Sequence, residues 1–597
     1  MTQTTSAAGI AWDLSDLFAD YNDPAITSVL DEAAAEAKAF AQTYRGTINV
    51  PDGPDAEHLR AGLEEFESLQ DKMSRPAVYA TLLFSADTSK PEHRNLQQNV
   101  EQRLTTIQNE LLFFSLEWLE LSDADAQKLV DHPVLESYRH YLANARRYQP
   151  HKLSEAEERI INEKDITGIS AWQRLHAEIT SGLSFPMEID GAQQQLTLDA
   201  VLSLMYHSDR AVRQQAFTKL FEVLGNHTQT LAYIYNTLVQ DKLTMDRLRI
   251  YPDPMAQRNL DNEIEPDVVE TMIAVVEQNY TLAQRYFTLK AKLLNLPRLQ
   301  IYDQYAPIGE VSIKMGFEEA QTVILESFTA FDPSFRETAN LFFERNWIDA
   351  EIRPGKRGGA FCMPYPPSLH PYILCNYTDK LRDAMTVAHE LGHGIHFWMA
   401  RKQSLLNFSP TLPLAETASV FGEMLTFEHL LERELERGNK LALVCGKIED
   451  IFATVFRQNV LTRFEQDVFA TRAANRLTPE QLGQHWIAAN QRYYGDAVET
   501  TGGYEFGWSY IPHFINSPFY CYSYVFGELL VLALYGMYRE QGQAFAPRYL
   551  SLLEAGGSQA PNALLVELGV DLHDPGFWQL GFQELQRLIE WAEELAA

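Results

Sequence analysis

The stretch Ala388–Phe397, AHELGHGIHF, places three histidines and one glutamate within eight positions. On a helix, His389 and His393 lie four apart and project from one face. Two imidazoles at that spacing can grip one metal ion from the same side. Glu390 sits about 100° round from His389. It stands beside the ion without binding it, where a carboxylate can take a proton from an activated water. His396 is about 10 Å along the axis from His389. That is out of reach of an ion held about 2 Å from the other two rings, so His396 reads as packing or as support for a ligand.

The competing reading is a wet helix face that happens to carry these residues. The neighbours Met385, Val387, Leu391, Ile395 and Phe397 argue for burial instead. Buried histidines and glutamates need partners or a metal. Gly392 and Gly394 each weaken a helix by about 1 kcal/mol relative to alanine. Such a local fault is expected where something must approach the backbone closely.

A hydrolytic zinc ion takes three protein ligands and keeps one position open. Downstream lies SPTLPLAETASVFGEMLTFEHLLERELE, in which Pro410 and Pro413 mark a helix start. Glu416 comes early on that helix, Glu423 is on the same face, and His429 returns close to it. Spacing leaves all three open as the third ligand. Glu423 reads equally well as an acid that holds a ligand imidazole. Further on, PHFINSPFYCYSYVFG offers His513, Tyr520, Tyr522 and Tyr524. An imidazole or phenol there can donate to a tetrahedral oxyanion. The alternative is an aromatic helix packed into the core.

These groups need positioning, and most of the chain reads as amphipathic helix. Asp31–Tyr44 is rich in strong helix formers. Ser154 with Glu157 forms a capping box. Ser208–Gly225 begins with capping residues, runs at helical spacing and ends at a glycine. Two segments break the pattern. Leu183–Leu198 carries Asp190-Gly191 between alternating runs, a hairpin signal. Arg353–Asp379 is dense in glycine and proline, then becomes the run YILCNY, Tyr372–Tyr377. It reads as a loop and a strand leading into the histidine helix. Such a strand would line the cleft and offer its edge to a substrate main chain. Within the loop, KRGGAF reads as a hairpin turn or as part of the cleft.

The whole chain sets limits. It has 597 residues, 46% of them hydrophobic, enough for two or more packed lobes. The net charge of −32 opposes binding to phosphate backbones and anionic lipid. The first residues lack the regions of a signal peptide. The apolar run Leu529–Met537 is about half a membrane span. Four scattered cysteines give neither a disulfide framework nor a thiolate zinc site. The expectation is a cytoplasmic protein without nucleic-acid or membrane partners.

HELGHGIH followed by ETASVFGEML resembles the thimet-oligopeptidase-like zinc peptidases, and within them the oligoendopeptidase F branch. WDLSDLF at Trp12–Phe18, SDRAVRQQAF from Ser208, PYILCNYTDKLRDAMTVAHELGHGIH and IPHFINSPFYCYSYVFGEL extend the resemblance over nearly the whole chain. It implies a mainly α fold of two helical lobes around a deep substrate channel, with a small β element at the active-site cleft. It implies an N-terminal lobe over residues 1–200 and a catalytic domain over 201–597. It implies one zinc ion per chain on His389, His393 and Glu416, with Glu423 supporting a ligand histidine and Glu390 as the base. His513 and a tyrosine, Tyr524 first and Tyr520 next, would stabilise the oxyanion. Gly358, Gly359, Tyr372 and Asn376 would contact substrate. The implied activity is endopeptidase cleavage of short unstructured peptides. A metallocarboxypeptidase of similar fold and a helical peptide-binding protein without activity are the rival readings.

Overall fold

The computed structural model describes residues 5–189, 191–309, 314–433 and 436–597. It is mainly helical, as the periodicity predicts. Its strands are short: β1 (Phe185–Ile189), β2 (Ala192–Leu196), β3 (Leu299–Gln300), β4 (Ile348–Asp349), β5 (Phe361–Met363), β6 (Tyr372–Leu374) and β7 (Val498–Glu499). The chain forms two compact units, each assembled from three stretches. The first contains Met1–Pro150, Ile313–Arg433 and Met537–Val570; the second contains His151–Ser312, Glu434–Gly536 and Asp571–Ala597.

In the first unit, helices Pro24–Tyr44, Ala56–Ala86 and Pro91–Glu120 pack on one another. Phe40, Tyr44, Phe66 and Phe114 form an interlocked aromatic core between them. β4, β6 and β5 make a small sheet with β6 in the middle, parallel to β4 and antiparallel to β5. The residues before the first helix are sewn to this sheet. Ala350 and Glu351 donate to the Ile10 carbonyl, and Trp12 packs edge-on against Tyr372. His370 contacts Asp16 at 3.1 Å.

In the second unit, β1 and β2 pair as an antiparallel hairpin with Phe185 opposite Leu196. The two strands flank Asp190-Gly191, where the sequence carries its hairpin signal; Asp190 lies outside the described residues. β3 and β7 pair in parallel. The Ser154–Glu157 capping box is present. The helix expected to end at Gly225 instead runs from Arg210 to Leu248. Gly225 is not a stop. A Cβ there would come 3.0 Å from the Phe506 ring, so the glycine makes room for that ring. Tyr235 on the same helix stacks on Phe464, Trp508 and Phe514.

The four cysteines are free thiols. The apolar run near Leu529 belongs to Cys521–Ala544, which is long and apolar enough to cross a membrane by length and composition. However, 78% of its apolar window is buried inside the protein, as in a core helix.

Candidate active site

The histidine helix, Leu381–Ala400, begins seven residues after β6 ends. Its start is fixed by Asp383, whose carboxylate accepts from the Thr378 hydroxyl and from the Thr378 and Lys380 N–H groups. The apolar side, with Val387, Leu391 and Ile395, is buried. His389 and His393 are half-buried on the other side.

A second helix, Thr417–Glu432, crosses the first at very short range. A Cβ on Gly392 would fall 2.3 Å from the Ala418 carbonyl oxygen, and one on Gly394 would fall 2.5 Å from the Phe342 ring. Gly422 on the second helix faces the Ala388 carbonyl in return. Of the glycines that weaken the histidine helix, Gly392 thus admits the second helix and Gly394 makes room for Phe342. Tyr549 donates to the Thr417 carbonyl at 2.7 Å and stacks on Phe421, which holds the start of the second helix in place.

This crossing brings Glu416 to the histidines. Its Oε2 lies 3.4 Å from Nε2 of His389 and 3.5 Å from Nε2 of His393. Tetrahedral donors about 2.0–2.1 Å from a zinc ion are about 3.3–3.4 Å apart, so the spacing fits that ion. Among the described residues these three form the one group of histidines and acids able to hold a metal. Glu423 Oε2 contacts the far nitrogen of His389, Nδ1, at 3.3 Å. A proton held there leaves the Nε2 lone pair facing Glu416 and His393. His429 contacts Glu326 instead, and His396 is buried in the packing.

The electrostatics follow from burial and mutual charge. Burial alone would lower the pKa of His389. The bond to Glu423 and the charges of Glu416, Glu423 and Glu390 outweigh it and raise the ring to about 9 in the absence of metal. Burial pushes Glu390 up to about 7, with Glu416 adding to the rise and His389 and the Cys362 N–H opposing it. Burial also lowers His396 to about 3.

The sheet corrects the expectation for YILCNY. That strand is central and its two edges are already paired. Ile373 and Cys375 donate to Trp347 and Asp349 on the β4 side. Cys362 sits opposite Ile373, so its N–H and C=O point away from β6. The outward edge beside Glu390 therefore belongs to β5. Tyr372 is fully buried against Trp12 and His370, so its side chain belongs to the core and not to a substrate surface. Asn376 donates to the carbonyls of Arg357 and Gly359, so its amide shapes the glycine loop. Gly358 and Gly359 are exposed, with open space where a side chain would be. The Lys356 ammonium, fully buried, ties this loop to the carbonyls of Asp349, Glu351 and Cys375. Nothing in the local sequence signals that anchor, because its partners are supplied by the sheet.

In the second unit, His513 lies on the short helix Pro512–Asn516, and Tyr520 and Tyr524 stand at the start of helix Cys521–Gln541. The three rings meet. Tyr524 Oη is 3.4 Å from His513 Nε2, His513 stacks with Tyr520, and Tyr520 meets Tyr524 edge-on. All three are half-buried. Tyr522 is different: its hydroxyl is buried, bonded to Asn259 and Asn262, and is committed to the core.

Comparison with known proteins adds an independent line. The family model described as Peptidase family M3 matches residues 203–584, and that described as Oligopeptidase F matches residues 117–185. Oligopeptidase PepF of Bacillus subtilis is 25% identical over 98% of this chain and 87% of its own. Group B oligopeptidase PepB of Streptococcus agalactiae is 26% identical over 98% of this chain and 97% of its own. The crystal structure of oligoendopeptidase-F from Enterococcus faecium superposes with a TM-score of 0.70 at 24% identity, covering 95% of this chain and 98% of that one; this likeness concerns the fold.

Proposed function

The chain belongs to peptidase family M3, and on that premise we propose that it is a zinc-dependent endopeptidase with one zinc ion on His389, His393 and Glu416. The observation that carries the ligand set is the convergence of three donor atoms at 3.4 and 3.5 Å. Zinc held by these three residues would supply Lewis acidity, easing proton loss from a water near pH 7. Glu390 takes that proton and later passes it to the leaving amine. Its burial, which raises its affinity for a proton, suits a base that must also act as an acid. Glu423 keeps His389 in the ligating tautomer. His513 and Tyr524, with Tyr520 next, donate to the developing oxyanion; the half-buried setting of these residues and the convergence of the His513 and Tyr524 polar atoms support this role. An extended peptide lies along β5 and the Gly358–Gly359 loop, where the backbone of Cys362 faces outward. Along the sequence the two family matches support a division near residue 200, into 1–200 and 201–597; the compact units cut across it, since 1–150 and the histidine-helix stretch belong to one unit. The four free thiols support a cytoplasmic setting.

Metal content tests the ligand assignment. Glu416→Ala is expected to lose zinc altogether. Glu423→Ala is expected to bind it about 10–100-fold more weakly. A metal-free Glu423 variant beside a fully loaded Glu416 variant would reverse the two roles.

A further inference from the structure

We propose that Glu465 is a positioning residue that fixes the loop between His513 and Tyr524 by holding the backbone of Phe519. The proposal rests on the reading of His513 and Tyr524 as oxyanion donors. All the residues concerned lie in the second unit.

Phe519 has φ +57°, a left-handed conformation that is unfavourable for a bulky residue and persists only where the surroundings enforce it. Two residues one turn apart on helix Phe456–Arg472 do so. Glu465 Oε1 accepts the Phe519 N–H at 3.1 Å. The Phe469 ring lies 4.8 Å from the Phe519 ring. The grip therefore acts on both the peptide and the side chain, immediately before Tyr520. The rest of the loop closes on itself: Ser517 donates to His513 and Tyr520 donates to Ser517. The Arg258 guanidinium lies 5.6 Å from the centre of the Tyr520 ring, and its charge also bears on Glu465.

Glu465 is a costly residue for a purely structural task. It is fully buried, and its second oxygen, Oε2, has no hydrogen-bond partner. A buried polar group left partly unpaired costs stability that an apolar residue of similar volume would not. The carboxyl group serves here because an acceptor at this point keeps Phe519 left-handed and the His513–Tyr520–Tyr524 rings in register.

The test is steady-state kinetics and thermal melting of Glu465→Leu, Glu465→Gln and Phe469→Leu, each alone and combined with His513→Ala. Glu465→Leu removes the acceptor. It is expected to lower kcat about 10–100-fold with KM changed less than threefold and no loss of melting temperature, since displacement of catalytic groups acts on turnover. Glu465→Gln keeps an acceptor and is expected to recover most of that loss. In the His513→Ala background the Glu465→Leu effect should shrink below threefold, because the group being aimed is gone. Where Glu465→Leu does not fold, Phe469→Leu carries the same comparison with a smaller loss. An unchanged kcat, or an equal loss with and without His513, overturns the proposal. If His513→Ala and Tyr524→Phe themselves leave kcat intact, the oxyanion reading falls and takes this proposal with it.

Discussion

Glu390 and Glu416 are neighbours in the same half-buried site, yet they hold protons differently. Burial opposes ionisation of both. In Glu416 the His393 and His389 charges and the Ser419 hydroxyl outweigh it and lower the pKa. In Glu390 burial prevails. The first carboxylate stays charged, as its proposed role as a ligand requires, and the second holds its proton more tightly, as suits the proposed base. Glu390→Gln preserves the shape and cannot act as a base. It is expected to bind metal normally while kcat falls at least about 10²–10⁴-fold; metal analysis and kinetics on one preparation check both halves. At this scale the sequence was informative where the chemistry is local. His389, Glu390 and His393 follow from spacing on one helix. Glu416 could not be chosen over Glu423 or His429 by spacing, because its place is set by a second helix. Tyr372 was misread because its burial depends on Trp12 and His370, which no local pattern reveals.

The element that makes the site is the crossing of the histidine helix with Thr417–Glu432. Gly392 has no room for a side chain against the second helix, and Gly422 is tight against Phe328 and the Ala388 carbonyl. Gly392→Ala would drive a Cβ to within 2.3 Å of the Ala418 carbonyl and 2.5 Å of the Ser419 Cα. Backbone cannot rotate away as a side chain can, so the helices must separate and carry Glu416 from the histidines. The expected result is a protein that retains helical circular dichroism, loses about 1–3 kcal/mol of stability to overpacking and so melts at a lower temperature, and binds zinc poorly. Zinc affinity equal to wild type would show that the crossing does not set the ligand geometry. The glycines flagged a close approach in the sequence, but what approaches became visible only in the fold. Gly225 is the converse case: a glycine that resembles a helix stop and instead accommodates Phe506.

Helix Phe456–Arg472 yields a second prediction, in pH. Burial raises the Glu465 pKa from 4.5 to about 8, against the opposing effects of the Phe519 N–H, Arg258 and Lys242. The folded protein therefore keeps this proton up to about pH 8, whereas the unfolded chain releases it near 4.5. Between those values the folded state binds more protons, so this group's contribution to stability declines as pH rises, and the decline ends above pH 8. The melting temperature of Glu465→Gln minus that of wild type should grow from pH 5 to pH 8 and then level off. A difference that is flat or shrinks over that range would contradict the assignment.

At the scale of the whole molecule, composition and periodicity disclosed a mainly helical chain with a large core, and the −32 charge disfavoured nucleic-acid partners. They could not disclose that each compact unit is built from three separate stretches, because packing between distant segments leaves no mark on any one of them. The claim that matters most is that this molecule cuts peptide bonds inside short chains with a metal. It is tested most directly by mass spectrometry of the products from one peptide sequence, made at lengths of about 5–20 residues with both termini blocked, a size suited to main-chain docking along one edge. The peptides are digested by metal-loaded protein, by chelated protein and by chelated protein resupplied with zinc, beside a stable folded substrate. Internal cleavage of blocked peptides, lost on chelation, restored by zinc and absent from the folded protein, is the predicted result. An absolute need for a free C-terminus, rapid digestion of the folded protein, or full activity after removal of the metal would contradict it.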